Sequence, residues 1–89
     1  MRLRFRWNDW NLDHATRHGV EPWEAEYVVR NASAPYPQER EDDKWLVIGR
    51  GSGGRFLQVV YVVDSNDVNY IIHARPLADK EKRRYRRRQ

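Results

Sequence analysis

The segment from Lys44 to Arg75 limits the possible folds more than any other part of the chain. Three apolar runs of strand length, Lys44 to Arg50, Arg55 to Val63 and Val68 to Arg75, are separated by Gly51-Ser52-Gly53-Gly54 and Asp64-Ser65-Asn66-Asp67. Both separators are turn chemistry, and strands joined by turns this short pair antiparallel with their sequence neighbours, as a meander. If each turn holds an even number of residues, Arg50 faces Arg55, Ile48 faces Leu57, Gln58 faces His73, Val59 faces Ile72 and Tyr61 faces Tyr70. Paired residues share a sheet face. Leu46, Ile48, Leu57, Val59, Tyr61, Tyr70, Ile72 and Ala74 then form the core side. Gln58, His73, Arg75 and Phe56 share the other side with Val47, Val60 and Ile71.

Upstream, Arg2, Arg4 and Arg6 alternate with Leu3, Phe5 and Trp7, the period of a strand with one buried face, so Arg2 to Trp7 is predicted to extend the sheet. Asn8 or Asp9 can cap a helix running to about His18, with Gly19 as its left-handed stop. Pro22 suits the first turn of a second helix, Trp23 to about Asn31, whose Ala25, Val28 and Val29 make an apolar stripe. Pro35, Pro37 and the run Glu39-Arg40-Glu41-Asp42-Asp43 read as a surface loop from Ala32 to Asp43. That acidic run is solvated, or it docks the basic tail or a basic partner. Leu77 to Gln89 favours a helix, with Asp79 and Glu81 in its first turn and Arg at its end, fraying where Tyr85, Leu77, Ala78 and Glu81 no longer give it a contact stripe. The expected fold is α+β: an antiparallel sheet of the N-terminal strand plus the meander, two helices on one face and a basic C-terminal helix, in a single domain over residues 1–89.

Eighty-nine residues suffice for one modest core. Without cysteine, the chain has no disulfide framework, thiolate zinc site or cysteine nucleophile. With 34% charged residues, the four Trp, five Tyr and two Phe are expected to supply much of the bulk to be buried. The charge is divided: residues 75–89 carry a net +6 and residues 1–74 a net −2, so the basic surplus lies in the tail. No apolar run approaches membrane-spanning length, no signal-type apolar region follows Arg2 and Arg4, and the tail sets only Tyr85 against its arginines. A soluble, cytoplasmic protein that does not engage a membrane is expected.

Alternation along the last strand puts His73 and Arg75 on one face, where a proton carrier and a fixed cation can address the same phosphate. The plain alternative is a hydrogen-bonded sheet histidine and a salt-bridged strand end. Strand ends also collect Arg50, Arg55 and Arg75 at one end of the sheet. His14 and His18 are spaced to share a helix face with Trp10. A metal there would need more ligands than the chain offers, since there is no Cys and no His-Glu-x-x-His, so these rings are expected to pack, or to line the cleft of His73. Lys80, Lys82, Arg83, Arg84, Arg86, Arg87 and Arg88 form a cationic stretch suited to tracking a nucleic-acid backbone without sequence preference.

In order, Phe5-x-Trp7-Asn8, Arg17-His18-Gly19-Val20, Glu24-Ala25-Glu26, Ile48-Gly49-Arg50, Gly54-Arg55, Val60-Tyr61, Ile72-His73-Ala74-Arg75 and Glu81-x-x-Arg84-Tyr85 span nearly the whole chain. This ordered set resembles the BrnT-like toxins of bacterial toxin-antitoxin pairs, compact relatives of the RelE-type ribonucleases. The resemblance implies a RelE-like fold, RNA cleavage through 2′-hydroxyl attack without metal or other cofactor, and neutralisation by a DNA-binding, BrnA-like antitoxin. Such chemistry needs a base for the 2′-hydroxyl, cations for the phosphoryl charge and an acid for the 5′-oxygen. The corresponding candidates are His73 as base or acid, Arg50, Arg55 and Arg75 for charge, and Tyr85, His14 and Glu81 as further partners. Two other functions are compatible with the same tail: a basic nucleic-acid-binding module without catalysis, and an interaction protein engaging an acidic partner.

Overall fold

The computed structural model describes residues 3–87, the side chain of Arg87 excepted. Its elements are α1 (Asp9–Thr16), α2 (Pro22–Arg30), β1 (Gln38–Arg40), β2 (Lys44–Arg50), β3 (Phe56–Val63), β4 (Asn69–Pro76) and α3 (Asp79–Arg87), with a 3-10 turn at Glu41–Asp43. The four strands form one antiparallel sheet in the order β1-β2-β3-β4. The protein is thus α+β with three α-helices, and no helix among the described residues is long and apolar enough to cross a membrane.

The fourth strand is not the expected one. Arg2 lies outside the described residues, and the segment after it makes a single parallel bridge, Phe5 to Asn69, fixed by Arg6 N–H donating to Asn69 O and Asn69 N–H donating to Arg4 O. It cannot continue as a strand because Asn8 already caps α1, its side chain accepting from Asn11 N–H. The alternation does set burial: Phe5 and Trp7 pack on the core while Arg4 and Arg6 are exposed. The true fourth strand, β1, lies inside the stretch read as a loop. Asp42 and Asp43 take φ of 62° and 59° in the turn that returns β1 into β2, a conformation short acidic side chains tolerate. The acidic run is therefore hairpin chemistry.

Both meander registers also differ from expectation, because both loops, 51–55 and 64–68, hold an odd number of residues. Arg55 leaves the ladder to bind α2, and the Asp64 carboxylate accepts from the N–H groups of Asn66 (2.8 Å) and Val68 (3.0 Å), keeping Val68 in the turn. Arg50 therefore pairs with Phe56 and Ile48 with Gln58. Between β3 and β4 a bulge leaves Ile72 without a partner: Tyr61 pairs with Ile71, whereas Val60 pairs with His73 and Gln58 with Arg75.

These registers divide the sheet into two faces. Val47, Leu57, Val59, Ile71 and Ala74, all essentially inaccessible, meet Ala25, Val28 and Val29 of α2. Burial of each larger aliphatic side chain stabilises the fold by roughly 1.5–3 kcal/mol. The centre of the core is aliphatic, with Tyr36 and Tyr61 buried in it and Phe5, Trp7, Trp45 and Tyr85 packed against it. Of the aromatic residues only Tyr36 and Tyr61 are buried, while Trp10 and Trp23 are 50% and 59% exposed. The opposite face carries Ile48, Gln58, Tyr70, His73 and Arg75, and one end of it is closed by Leu77, just before α3, and by Tyr85 within it. The two N-terminal helices touch, and Ala15 of α1 joins the same core as Ala25, Val28 and Val29 of α2. α1 packs along β4, where Asn11, 0% exposed, donates through its amide to Arg6 O and Ile71 O, both at 3.0 Å. This covers the outer edge of β4.

Candidate functional site

The bulge decides which side chains of β4 meet. Without an unpaired residue, Tyr70 and His73, three positions apart, would point to opposite faces. With Ile72 unpaired, both stand on the face away from α2, together with Arg75. The expected His73 and Arg75 pairing on one face is present, and Tyr70, assigned to the core from sequence, joins it.

His73 is half-buried, and its ring lies edge-on to that of His18 with centroids 5.5 Å apart. Its pKa is lowered, first by burial, then by the charges of His18 and Arg75, so near pH 7 it is a neutral imidazole able to accept a proton. His18 is not on α1 as expected. The helix ends at Thr16, and Gly19 at φ 80° turns the chain so that exposed His18 hangs over β4. His14 is thereby separated from it. Its Nδ1 lies 2.7 Å from Trp10 O, which requires that nitrogen to carry the proton, and its ring stacks on the Trp10 indole at 3.8 Å and 15°. The stack continues to Tyr70 at 6.2 Å and 21°, and Arg6 lies over Tyr70 at 4.3 Å. No group of three or more His, Cys, Asp or Glu side chains converges as a metal site among the described residues.

The three arginines stand at one end of the sheet as expected, but their side chains diverge, and two already hold carboxylates. Arg55 projects toward α2, where Nε and NH2 donate to Glu24 (3.1 and 2.8 Å) and NH2 also donates to Gly19 O (2.7 Å). Glu24 is only 6% exposed, and its pKa is lowered, mainly by that guanidinium. Arg55 is a tie between the hairpin and α2. Arg75 donates to both oxygens of Glu81 (2.7 and 2.6 Å), to Gln58 Oε1 (3.1 Å) and to Pro76 O (3.2 Å). A phosphate reaches this guanidinium only by displacing Glu81. Glu81 also accepts from Ala78 N–H at 2.9 Å, and the Arg75 pairing, then this bond, hold its pKa down to about 2.

Arg50 alone of the three has no carboxylate within ion-pair distance among the described residues. It lies over the Phe56 ring at 4.7 Å, and Arg86 approaches the same ring at 5.9 Å. Tyr85 packs on Phe56 and stacks with Tyr36, centroids 5.3 and 6.2 Å away. A cleft of about 210 Å³ between α3 and the sheet is bounded by Tyr36, Arg40, Gln58, Glu81, Arg84 and Tyr85. Of the tail, Lys80, Arg83, Arg84 and Arg86 are exposed, Lys82 is half-buried and 3.5 Å from Asp79, and Arg88 lies outside the described residues. Sequence reasoning set His18 beside the cleft of His73 only as an alternative to packing, and gave Trp10 and Tyr70 no part in the site. For His18 the signal was Gly19, which stops the helix early enough to free it; for Tyr70 nothing in the sequence marks the bulge.

Comparison with protein-family models, with curated proteins and with solved structures gives no match to this chain.

Proposed function

We propose that the protein is a metal-independent endoribonuclease of the RelE-like kind, the toxin of a BrnT-like toxin-antitoxin pair acting on cytoplasmic RNA. The observation that carries this is the imidazole pair, His18 and His73, with centroids 5.5 Å apart on an accessible sheet edge. In strand scission by 2′-hydroxyl attack, His73 takes the 2′ proton, O2′ bonds to phosphorus and the P–O5′ bond breaks. The 5′-oxygen leaves with a proton from His18, and the other product ends in a 2′,3′-cyclic phosphate. Two rings this close can serve both oxygens of one phosphate, which a single histidine cannot do in one step. Arg75 keeps the field at His73 positive, favouring an anion beside it. Arg50, Arg84 and Arg86 extend cationic surface toward the far end of the same face. An acidic segment of a DNA-binding antitoxin would find partners in Arg50 and Arg86.

The test is cleavage of single-stranded RNA by the purified protein in EDTA, with identification of the 3′ end. Cyclic phosphate termini are expected, and His73→Ala and His18→Ala should each lower the rate by about 100-fold. Unchanged rates in both variants would overturn the assignment. A second reading has its own support in half-exposed Trp10 and in the engagement of Arg75 by Glu81: RNA bound by the parent but never cut would make the chain a non-catalytic binding module.

A further inference from the structure

We infer that the seam between α1 and β4 holds an unpaired nucleobase of single-stranded RNA, stacked on Trp10, one nucleotide from the His18 and His73 pair. This rests on the ribonuclease reading for its neighbour, and on separate observations for itself. Trp10 is fixed yet wet: His14 stacks on it at 3.8 Å and Tyr70 lies at 6.2 Å, while half of the indole is exposed. Tyr70 is held in turn, its hydroxyl donating to Asn8 Oδ1 at 2.9 Å and its ring covered by Arg6 at 4.3 Å. Covering the strand edge does not require Trp10, since Asn11 and the Phe5 bridge already do so. An immobilised indole that is half exposed offers a base stacking surface at little cost, because nothing must be ordered on binding.

Charge favours a base here and a phosphate next door. Around the stack Arg6 is offset by Asp64 at 3.7 Å and Arg17 by Asp13 at 2.8 Å, and Asp13 also lies 3.8 Å from His14, so the seam has little net charge to hold an anion. At His73 the neighbouring groups are His18 and Arg75, the latter shared with Glu81 at 2.6 Å, and both bear on its ring as positive charge. Tyr70 and His73 lie three residues apart on one face of β4. That is roughly 10 Å of extended strand, within reach of adjacent nucleotides. His14 is therefore assigned to stacking and not to proton transfer.

The experiment measures binding of a 2′-O-methyl single-stranded oligonucleotide, which cannot be cut, alongside cleavage of ordinary RNA. Trp10→Ala should weaken binding by about tenfold or more, Trp10→Tyr should restore most of it, and Trp23→Ala, on the other side of the molecule's core, should change nothing. Far-UV circular dichroism of Trp10→Ala should match the parent. Equal affinity of Trp10→Ala and parent, with cleavage intact, overturns the stacking site and leaves the nuclease assignment standing. Weakened binding by Trp10→Ala in a protein that never cuts RNA supports the site and removes the nuclease. If the parent binds no oligonucleotide, the site falls.

Discussion

Arg75 and Glu81 meet fork to fork, two parallel hydrogen bonds of 2.7 and 2.6 Å joining the last residues of β4 to the first turn of α3. This pair is the chief polar attachment of the basic helix to the sheet. Because the Glu81 pKa is about 2 in the folded protein against an ordinary 4.5, the unfolded chain takes up that proton first as pH falls. The contribution is complete above about 4.5 and is lost on the way down to about 2. Urea denaturation of the parent should show falling stability across that window, and Glu81→Gln should flatten this part of the profile.

His73 gives a second pH dependence, in a different window. Its folded pKa lies below the ordinary 6.5, so the folded state favours the neutral ring and stability declines as pH falls from about 6.5 through the lowered value. Cleavage should fall over the same range, since the base becomes protonated. A pH-rate profile of the parent should show this acid limb, and His73→Ala should lose it together with most of the rate.

Asn11→Ala should destabilise the protein by about 2–4 kcal/mol. Its side chain satisfies Arg6 O, Ile71 O and Asn8 N–H in a site without solvent, and each buried polar group left without a partner costs about 1–3 kcal/mol. Denaturant midpoints measure this, and amide exchange in β4 should accelerate.

Arg55→Met should cost about 1–3 kcal/mol by leaving Glu24 buried and unpaired, while the cleavage rate of the folded fraction stays near the parent's. A loss of rate with stability unchanged would return Arg55 to the site.

Replacing Arg86, Arg87 and Arg88 by Gln should weaken RNA affinity and reduce the slope of its salt dependence by about one unit for each phosphate that is no longer neutralised, leaving the rate of bound RNA little altered. Titrations at several salt concentrations give the slope directly.

Elements whose local chemistry agrees with their tertiary setting were legible in the sequence. Gly19 stops the first helix region, Pro22 opens the second, and Lys44 to Arg50 is the strand its composition predicts. β1 escaped notice because, lying at the sheet edge beside β2, it exposes Glu39 and Arg40 and so has no alternation to read. The registers escaped because they depend on distant partners. Nothing near Arg55 reveals that Glu24 will draw it out of the ladder, and Ile72 is as good a strand residue as its paired neighbours. The His73 and Arg75 face survived because the bulge precedes both. The arginines keep their end of the sheet but form no shared free site, because two of them had carboxylates waiting in other elements.

Ile72 works as a counter. Were it paired regularly instead of bulged, every residue beyond it would change sides, turning Ala74 outward and driving His73 and Arg75 into the aliphatic interior under α2, whereas its deletion would leave Ile71, His73 and Ala74 in plain alternation opposite Tyr61, Val60 and Val59. Tyr70, His73 and Arg75 are held on the open face while Ile71 and Ala74 answer to the core, and one unpaired residue keeps the two sets in step. Insertion of a further paired residue at this point is therefore closed to the protein, while loss of Ile72, or its replacement by other strand-forming side chains, remains open.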